Sequence, residues 1–239
     1  MTYKIVNILT FVLVLVMNYL ANALPLNGKT TGELSAQYPN LFVPAGITFS
    51  IWGIIYLLLL VFLILQFSGP SKTLVMAIGL GFAVSNFFNA GWIVAWHYEK
   101  LPLSLVFMLG ILVSLIFANL QLKDSSLGII KAAFGIYLGW ILIASIANLT
   151  AVLVNYNWSG WGISEQNWAI IMIVVGALIS IVSLIKLNNP FLALAVIWAF
   201  AGIILNRKAD FPAIALVAVV GIVAVGVFMI LGFRKFYHH

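Results

Sequence analysis

Apolar residues in this chain come in long blocks, not in alternation. Eight runs stand out, at roughly 5–24, 46–67, 73–96, 102–122, 131–155, 167–186, 190–206 and 211–233. A helix needs about 20 apolar residues to cross the hydrocarbon core of a bilayer. The pattern therefore predicts an all-α fold, a polytopic transmembrane helical bundle of about eight helices. The run at 190–206 is short and opens on Pro190. Brief polar breaks separate the runs: "SGPSK", "HYEKLP", "QLKDSSLG", "KLNNP" and "NRKADFP". Pro102, Pro190 and Pro212 stand at predicted helix starts, where a missing N–H costs nothing. The longest polar segment, "PLNGKTTGELSAQYPNLFV" from Pro25 to Val43, is the one loop large enough to act as a lid.

Composition agrees with lipid as the solvent. The chain is 64% hydrophobic and 7% charged, against about 25% charged in soluble domains. It has no cysteine, which excludes disulfides and thiolate metal sites. The first run is longer than a signal-peptide core, and "NALP" is a poor cleavage site, so it reads as a retained helix. The basic residues are scattered singly between runs, which suits membrane loops and gives no nucleic-acid footprint. With the N-terminus cytoplasmic, one side holds Lys4, Lys72, Lys123, Lys131, Lys186, Arg234 and Lys235. The other holds Lys29, Lys100, Arg207 and Lys208. That bias predicts a multi-pass protein with both termini cytoplasmic. The lid and "NYNWSGWGISEQNW" then share the outer face, where Trp158, Trp161 and Trp168 read as an interfacial belt.

Little catalytic chemistry is available. The acids Glu33, Glu99, Asp124, Glu165 and Asp210 fall in five different loops, so no cluster is predicted to hold a metal. No run carries an acid or base near its middle, as a proton relay would require. The terminal His238 and His239 suggest a purification-tag remnant. What the runs contain is asparagine and tryptophan. Amides at Asn18, Asn22, Asn86, Asn89 and Asn148 must find partners in hydrocarbon, so they are expected to face other helices or a cavity. Phe49, Trp52 and Tyr56 share one face of the second run. Asn89, Trp92 and Trp96 share one face of the third, and Tyr137, Trp140 and Asn148 lie close to one face of the fifth. Such faces suit either helix packing or a cavity for a large, flat, apolar ligand with a few polar anchors.

At these residues the chain resembles the TspO/MBR family, the tryptophan-rich sensory or translocator proteins. The family's second helix carries a "FGPVWTxLY"-like stretch; here "FSIWGIIY" keeps Trp52 and Tyr56 four apart, with Phe49 one residue closer. The family's "NLAWSxLFF", followed by a proline, is matched by "NAGWIVAWHYEKLP", with Asn89, Trp92 and Pro102 in register. Its "YLAWVSFATVLN" is matched by "YLGWILIASIAN", with Tyr137, Trp140 and Asn148 at the same spacing. The motifs cover about residues 1–158. Two features depart from the family: only Pro44 stands where a double proline is usual, and residues 25–43 contain no tryptophan. The family typically has five helices. The resemblance thus implies a five-helix TspO-like domain at 1–158 and a three-helix C-terminal transmembrane extension at 159–239.

It also implies a receptor or sensor that needs no cofactor and binds a tetrapyrrole such as protoporphyrin or a haem-like molecule, or else a sterol-like lipid. The implied ligand-binding residues are Phe49, Trp52, Tyr56, Asn89, Trp92, Trp96, Tyr137, Trp140 and Asn148, with Pro44, His97 and Lys100 at the lid and rim. Ligand carboxylates would reach the rim near His97 and Lys100. Light-dependent porphyrin breakdown enters by resemblance alone, since the sequence offers no acid–base machinery. The expected partners are membrane lipid, a hydrophobic small molecule and a second copy in a homodimer. Two other readings stay open: a transporter of a small apolar or neutral solute, and a structural membrane subunit.

Overall fold

A computed structural model gives the fold and describes residues 2–24, 26–69, 72–126 and 128–237. Pro25 at the head of the lid and the terminal His238 and His239 lie outside these residues. Every regular element among the described residues is helical. Ten α-helices follow in chain order: α1 Thr2–Asn22, α2 Thr31–Ala36, α3 Ile51–Leu65, α4 Lys72–Ile78, α5 Gly81–His97, α6 Leu101–Gln121, α7 Ile129–Asn155, α8 Glu165–Leu187, α9 Leu192–Arg207 and α10 Pro212–Tyr237. Short 3-10 turns lie at Leu26–Gly28, Gly46–Ser50 and Gly160–Gly162.

Six segments are long and apolar enough to cross a bilayer: α1, Gly46–Leu65, α6, α7, α8 and α10. The run expected at 73–96 is not one straight helix. Gly79 adopts a positive φ of 54°, and α4 and α5 meet there at 51°, making a bent seventh span if counted together. The run expected at 190–206 forms α9, whose 16 residues reach only about 24 Å. That falls short of a hydrocarbon core of about 30 Å.

The bundle is organised on α7, which packs on α3, α6, α8 and α9. Half of its most apolar window is buried, against 22% for α1 and for α10 at the bundle margins. Two glycines permit the close approach of α9. A Cβ on Gly139 would strike the backbone carbonyl of Leu192, and one on Gly135 would stand 2.6 Å from the Asn189 amide. Without a hydrophobic drive between helices in lipid, such small-residue contact is what holds them together. The α5–α6 contact uses paired notches: Phe107 fills the space over Gly91, and Phe88 the space over Gly110. A trio of edge-on rings, Phe62, Phe82 and Phe134 with centroids 5.1–5.9 Å apart, fills the core between α3, α5 and α7.

Polar groups are satisfied in two ways. Asn86 reaches across to Thr10 on α1, at 3.3 Å. Asn18 donates to Val14 O on its own helix and also faces the Tyr56 hydroxyl on α3, as expected, whereas the expectation that Asn22 faces another helix is corrected: it is exposed and donates to Asn18 O on α1. A helix's own carbonyls are within reach of such an amide, so Asn22 needs no neighbouring helix.

Gly139→Val should destabilise the protein by roughly 3 kcal/mol or more, because the contact is with backbone and cannot repack. Gly53→Ala, which enters open space, should be neutral or stabilising by up to about 1 kcal/mol. Thermal melts of both variants in detergent check the contrast.

Candidate functional site

The 3-10 turn at Gly46–Ser50 runs directly into α3 and sets the facing of its aromatic stripe. Trp52 stacks on Tyr56 at 5.4 Å and meets Tyr137 and Trp140 edge-on, at 5.8 and 6.3 Å. Phe49 meets Trp140 edge-on at 5.9 Å. On α5, Trp92 and Trp96 stack at 5.6 Å. The Trp92 indole N–H donates to Asn148 Oδ1 at 3.0 Å, and Asn148 Nδ2 donates to Ser104 Oγ at 3.0 Å. One amide thus ties α5, α6 and α7 together. Ser104, whose hydroxyl also donates to Leu101 O at 2.8 Å, was no sequence candidate: a serine in a helix's first turn gives no distinctive signal.

These rings surround one cavity of about 60 Å³. Of the expected residues, Pro44, Phe49, Trp52, Trp92, Trp96, Trp140 and Asn148 line it. Tyr56, Asn89 and Tyr137 lie beneath it as a floor, where Asn89 Nδ2 donates to the Tyr137 hydroxyl at 2.8 Å. The remaining wall is small or apolar on α6 and α7, Met108 and Ala144 among it. The roof is Thr31, Ser35, Asn40 and Val43 from the lid. The indole N–H of Trp140 is buried and has no acceptor among the described residues. A buried donor left so is costly, and it offers a hydrogen bond to any acceptor-bearing guest.

The lid has real structure. Thr30 caps α2 in a capping box, accepting from Glu33 N at 3.2 Å while its own N–H donates to Glu33 at 2.7 Å. Leu34 and Tyr38 pack with Trp96 and Leu101 in a small separate core. His97 does not stand at the rim as expected; it is fully buried and latches the lid. Its Nδ1 lies 3.2 Å from Leu26 O and its Nε2 3.0 Å from Thr31 Oγ1. A carbonyl can only accept, so Nδ1 carries the proton and Nε2 accepts from the threonine. Lys100 is exposed and is not part of the cavity lining.

The opposite edge of the lid is held by α9, which the motifs did not indicate. Arg207 donates through Nε to Leu41 O at 3.1 Å and through Nη2 to Asn40 O at 2.8 Å. Asn206 Nδ2 donates to Val43 O at 3.0 Å, Ala45 N–H to Gly202 O at 3.0 Å, and the Trp198 indole to Thr48 O at 2.8 Å. A Cβ on Gly202 would overlap Thr48 Oγ1, so only glycine admits this apposition.

One ion pair closes the latch side, Lys29 to Glu99 at 3.0 Å, and Tyr38 OH donates to the same carboxylate at 3.3 Å. The hydrogen bond from Lys29 holds the Glu99 carboxyl below the usual carboxylate range. A depressed carboxyl stabilises the closed lid above its unfolded pKa, and that contribution is lost as pH falls through the folded value. Acidification below the carboxylate range should therefore lower the protection of the amides across residues 26–38, taken relative to the intrinsic exchange rate at each pH. Lys29→Met at neutral pH should do the same only slightly, since an exposed pair contributes about 0–1 kcal/mol. Asn148→Leu, which strands the Trp92 indole N–H, should cost about 1–3 kcal/mol in a thermal melt.

No curated protein and no solved structure matches the chain. The TSPO-like protein family matches residues 4–231. The match runs past residue 158, where the motifs end, and continues through α8 and α9 into α10. With Trp52, Trp92 and Trp140 gathered at one cavity and nearly the whole length matched, the chain belongs to the TSPO-like protein family and carries transmembrane helices beyond the five typical of it.

Proposed function

We propose that this membrane protein is a receptor or sensor whose aromatic cavity binds a flat hydrophobic molecule bearing a hydrogen-bond acceptor. The observation that carries the reading is the joint lining of one lidded cavity by Trp52, Trp92, Trp96, Trp140 and Asn148, with the Trp140 N–H unpartnered among the described residues. By family resemblance the ligand class is a tetrapyrrole such as protoporphyrin, or a sterol-like lipid. Size sets the mechanism. About 60 Å³ admits a few waters, whereas drug-sized ligands occupy about 300–1,000 Å³. Binding must therefore displace the lid, and the space gained is the neighbouring vestibule, which shares Ser35, Asn40, Val43, Pro44 and Phe49 with the cavity.

A sealed floor supports reception over transport. The Asn89–Tyr137 hydrogen bond and the Phe62, Phe82 and Phe134 trio fill the bundle beneath the cavity. In this reading residues 1–158 form the ligand-binding unit, residues 159–239 form an extension that braces its lid through α9, and both termini are cytoplasmic. Any light-driven breakdown of a bound porphyrin would draw on the indole rings.

Protoporphyrin titrated into the purified protein, followed by tryptophan fluorescence quenching, tests the reading. Trp92→Ala removes a cavity wall and should weaken binding about tenfold or more. Trp140→Phe keeps most of the apolar area, and should retain binding while slowing loss of porphyrin absorbance under illumination. Unchanged affinity in Trp92→Ala would refute porphyrin binding at this cavity.

A further inference from the structure

α8 begins at Glu165 and α9 ends at Arg207, so both residues sit at helix ends on the lid side. Both line one vestibule of about 500 Å³ outside the lid, along with Asn206. Opposite charges facing one space would ordinarily pair, but the only ion pair among the described residues is Lys29–Glu99. Arg207 is held by the two lid carbonyls it donates to. A guanidinium carries five N–H donors, so three remain to serve a guest. Asp210 nearby makes no ion pair with it. The Glu165 carboxylate has no hydrogen-bond partner among the described residues.

An adjoining cavity of about 230 Å³ also takes in Glu165 and is walled by Trp158 and Trp168, whose ring centroids lie 4.9 Å apart. Its inner end is apolar, with Leu153 and Met172. The loop that carries Trp158 is held firmly. Trp168 Nε1 donates to Gly160 O at 2.8 Å, and Asn157 and Trp161 sit in the left-handed region at φ 52°. A residue as bulky as Trp161 holds that conformation only where its surroundings impose it.

We infer that this vestibule and the adjoining cavity, which meet at Glu165, together hold the zwitterionic head of a phospholipid, with the phosphate on Arg207 and the quaternary ammonium between Glu165 and the Trp158 and Trp168 rings. Each part has its reason. Phosphate suits a guanidinium with free forked donors. A quaternary ammonium has no N–H to donate, so an aromatic face beside a carboxylate recognises it best. The chain leaves on the far side of the phosphate from the ammonium, where the vestibule offers the apolar Leu41 and Val43 to its first methylenes, which makes a lipid a better fit than its soluble head. The head would share this vestibule with the space into which the aromatic cavity opens, so the titrations are run with no porphyrin present.

Lysophosphatidylcholine, a monoacylglycerol of the same chain length, lysophosphatidic acid and glycerophosphocholine are titrated calorimetrically into the full-length protein in maltoside micelles. Lysophosphatidylcholine should bind at least about tenfold more tightly than the monoacylglycerol. Glu165→Gln should weaken lysophosphatidylcholine about tenfold and spare lysophosphatidic acid, which has no ammonium. Arg207→Gln should weaken both, and Arg207→Lys should restore part of the loss. Arg207 also braces the lid, so Glu165→Gln, whose side chain contacts no described partner, is the decisive variant, with an unchanged thermal melt as its control. Equal affinity for the monoacylglycerol would overturn the assignment, as would a Glu165→Gln effect under twofold on lysophosphatidylcholine. Glycerophosphocholine binding as tightly as the lysolipid would overturn the lipid source.

Discussion

The backbone-to-backbone approach of α7 and α9 at Gly139 is the contact on which the rest depends. In hydrocarbon, helices gain nothing by hiding apolar surface from lipid, so association rests on close packing and hydrogen bonds. Gly139 lets the Leu192 carbonyl lie directly on α7, and that seats α9 along its length. Once seated, α9 presents Trp198, Gly202, Asn206 and Arg207 to residues 40–48 in one line. The entrance to α3 is fixed by those contacts, and with it the facing of Phe49 and Trp52. A helix too short to span thus decides the geometry of a cavity it does not line.

Polar residues are placed by the same solvent logic. Each buried amide has a distinct job. Asn148 joins three helices at the cavity wall, and Asn89 closes its floor against Tyr137. At the far end of the bundle, Asn189 donates to Asn119 Oδ1 at 2.7 Å and to Lys131 O at 2.9 Å, while Lys131 Nζ donates to Lys123 O and Ser125 O. Clamps at both ends leave the middle to apolar rings. The Trp140 N–H is one of six buried side-chain polar atoms without a partner among the described residues, both amide atoms of Asn7 being others, and it is the one of them on a residue that lines the aromatic cavity.

The lid is held unevenly. Its Lys29–Glu99 edge is an exposed pair with a buried histidine behind it, and its 40–48 edge is bound by four residues of α9. Exposed pairs contribute little, whereas hydrogen bonds shielded from water contribute more.

Lipid-like composition and run length alone determined an all-α multi-pass bundle, because helices and closed barrels alone satisfy their backbone in hydrocarbon, and barrel strands alternate where these runs are continuously apolar. Helical periodicity also identified the aromatic faces of α3, α5 and α7, since residues three and four apart must share a side. Periodicity could not say which residues along a face reach the open space and which lie under it. Trp52 and Tyr56 share a stripe, yet only Trp52 lines the cavity. The break at Gly79 and the short reach of α9 were hidden inside apolar runs that read as continuous. His97 looked like a rim residue because it sits in a polar loop, but the lid folds back and buries it. Arg207 was invisible as a lid brace, because its partners lie about 165 positions away in sequence. They are backbone carbonyls, which carry no residue identity to be read. Only the tertiary packing of α9 on α7 brings them together.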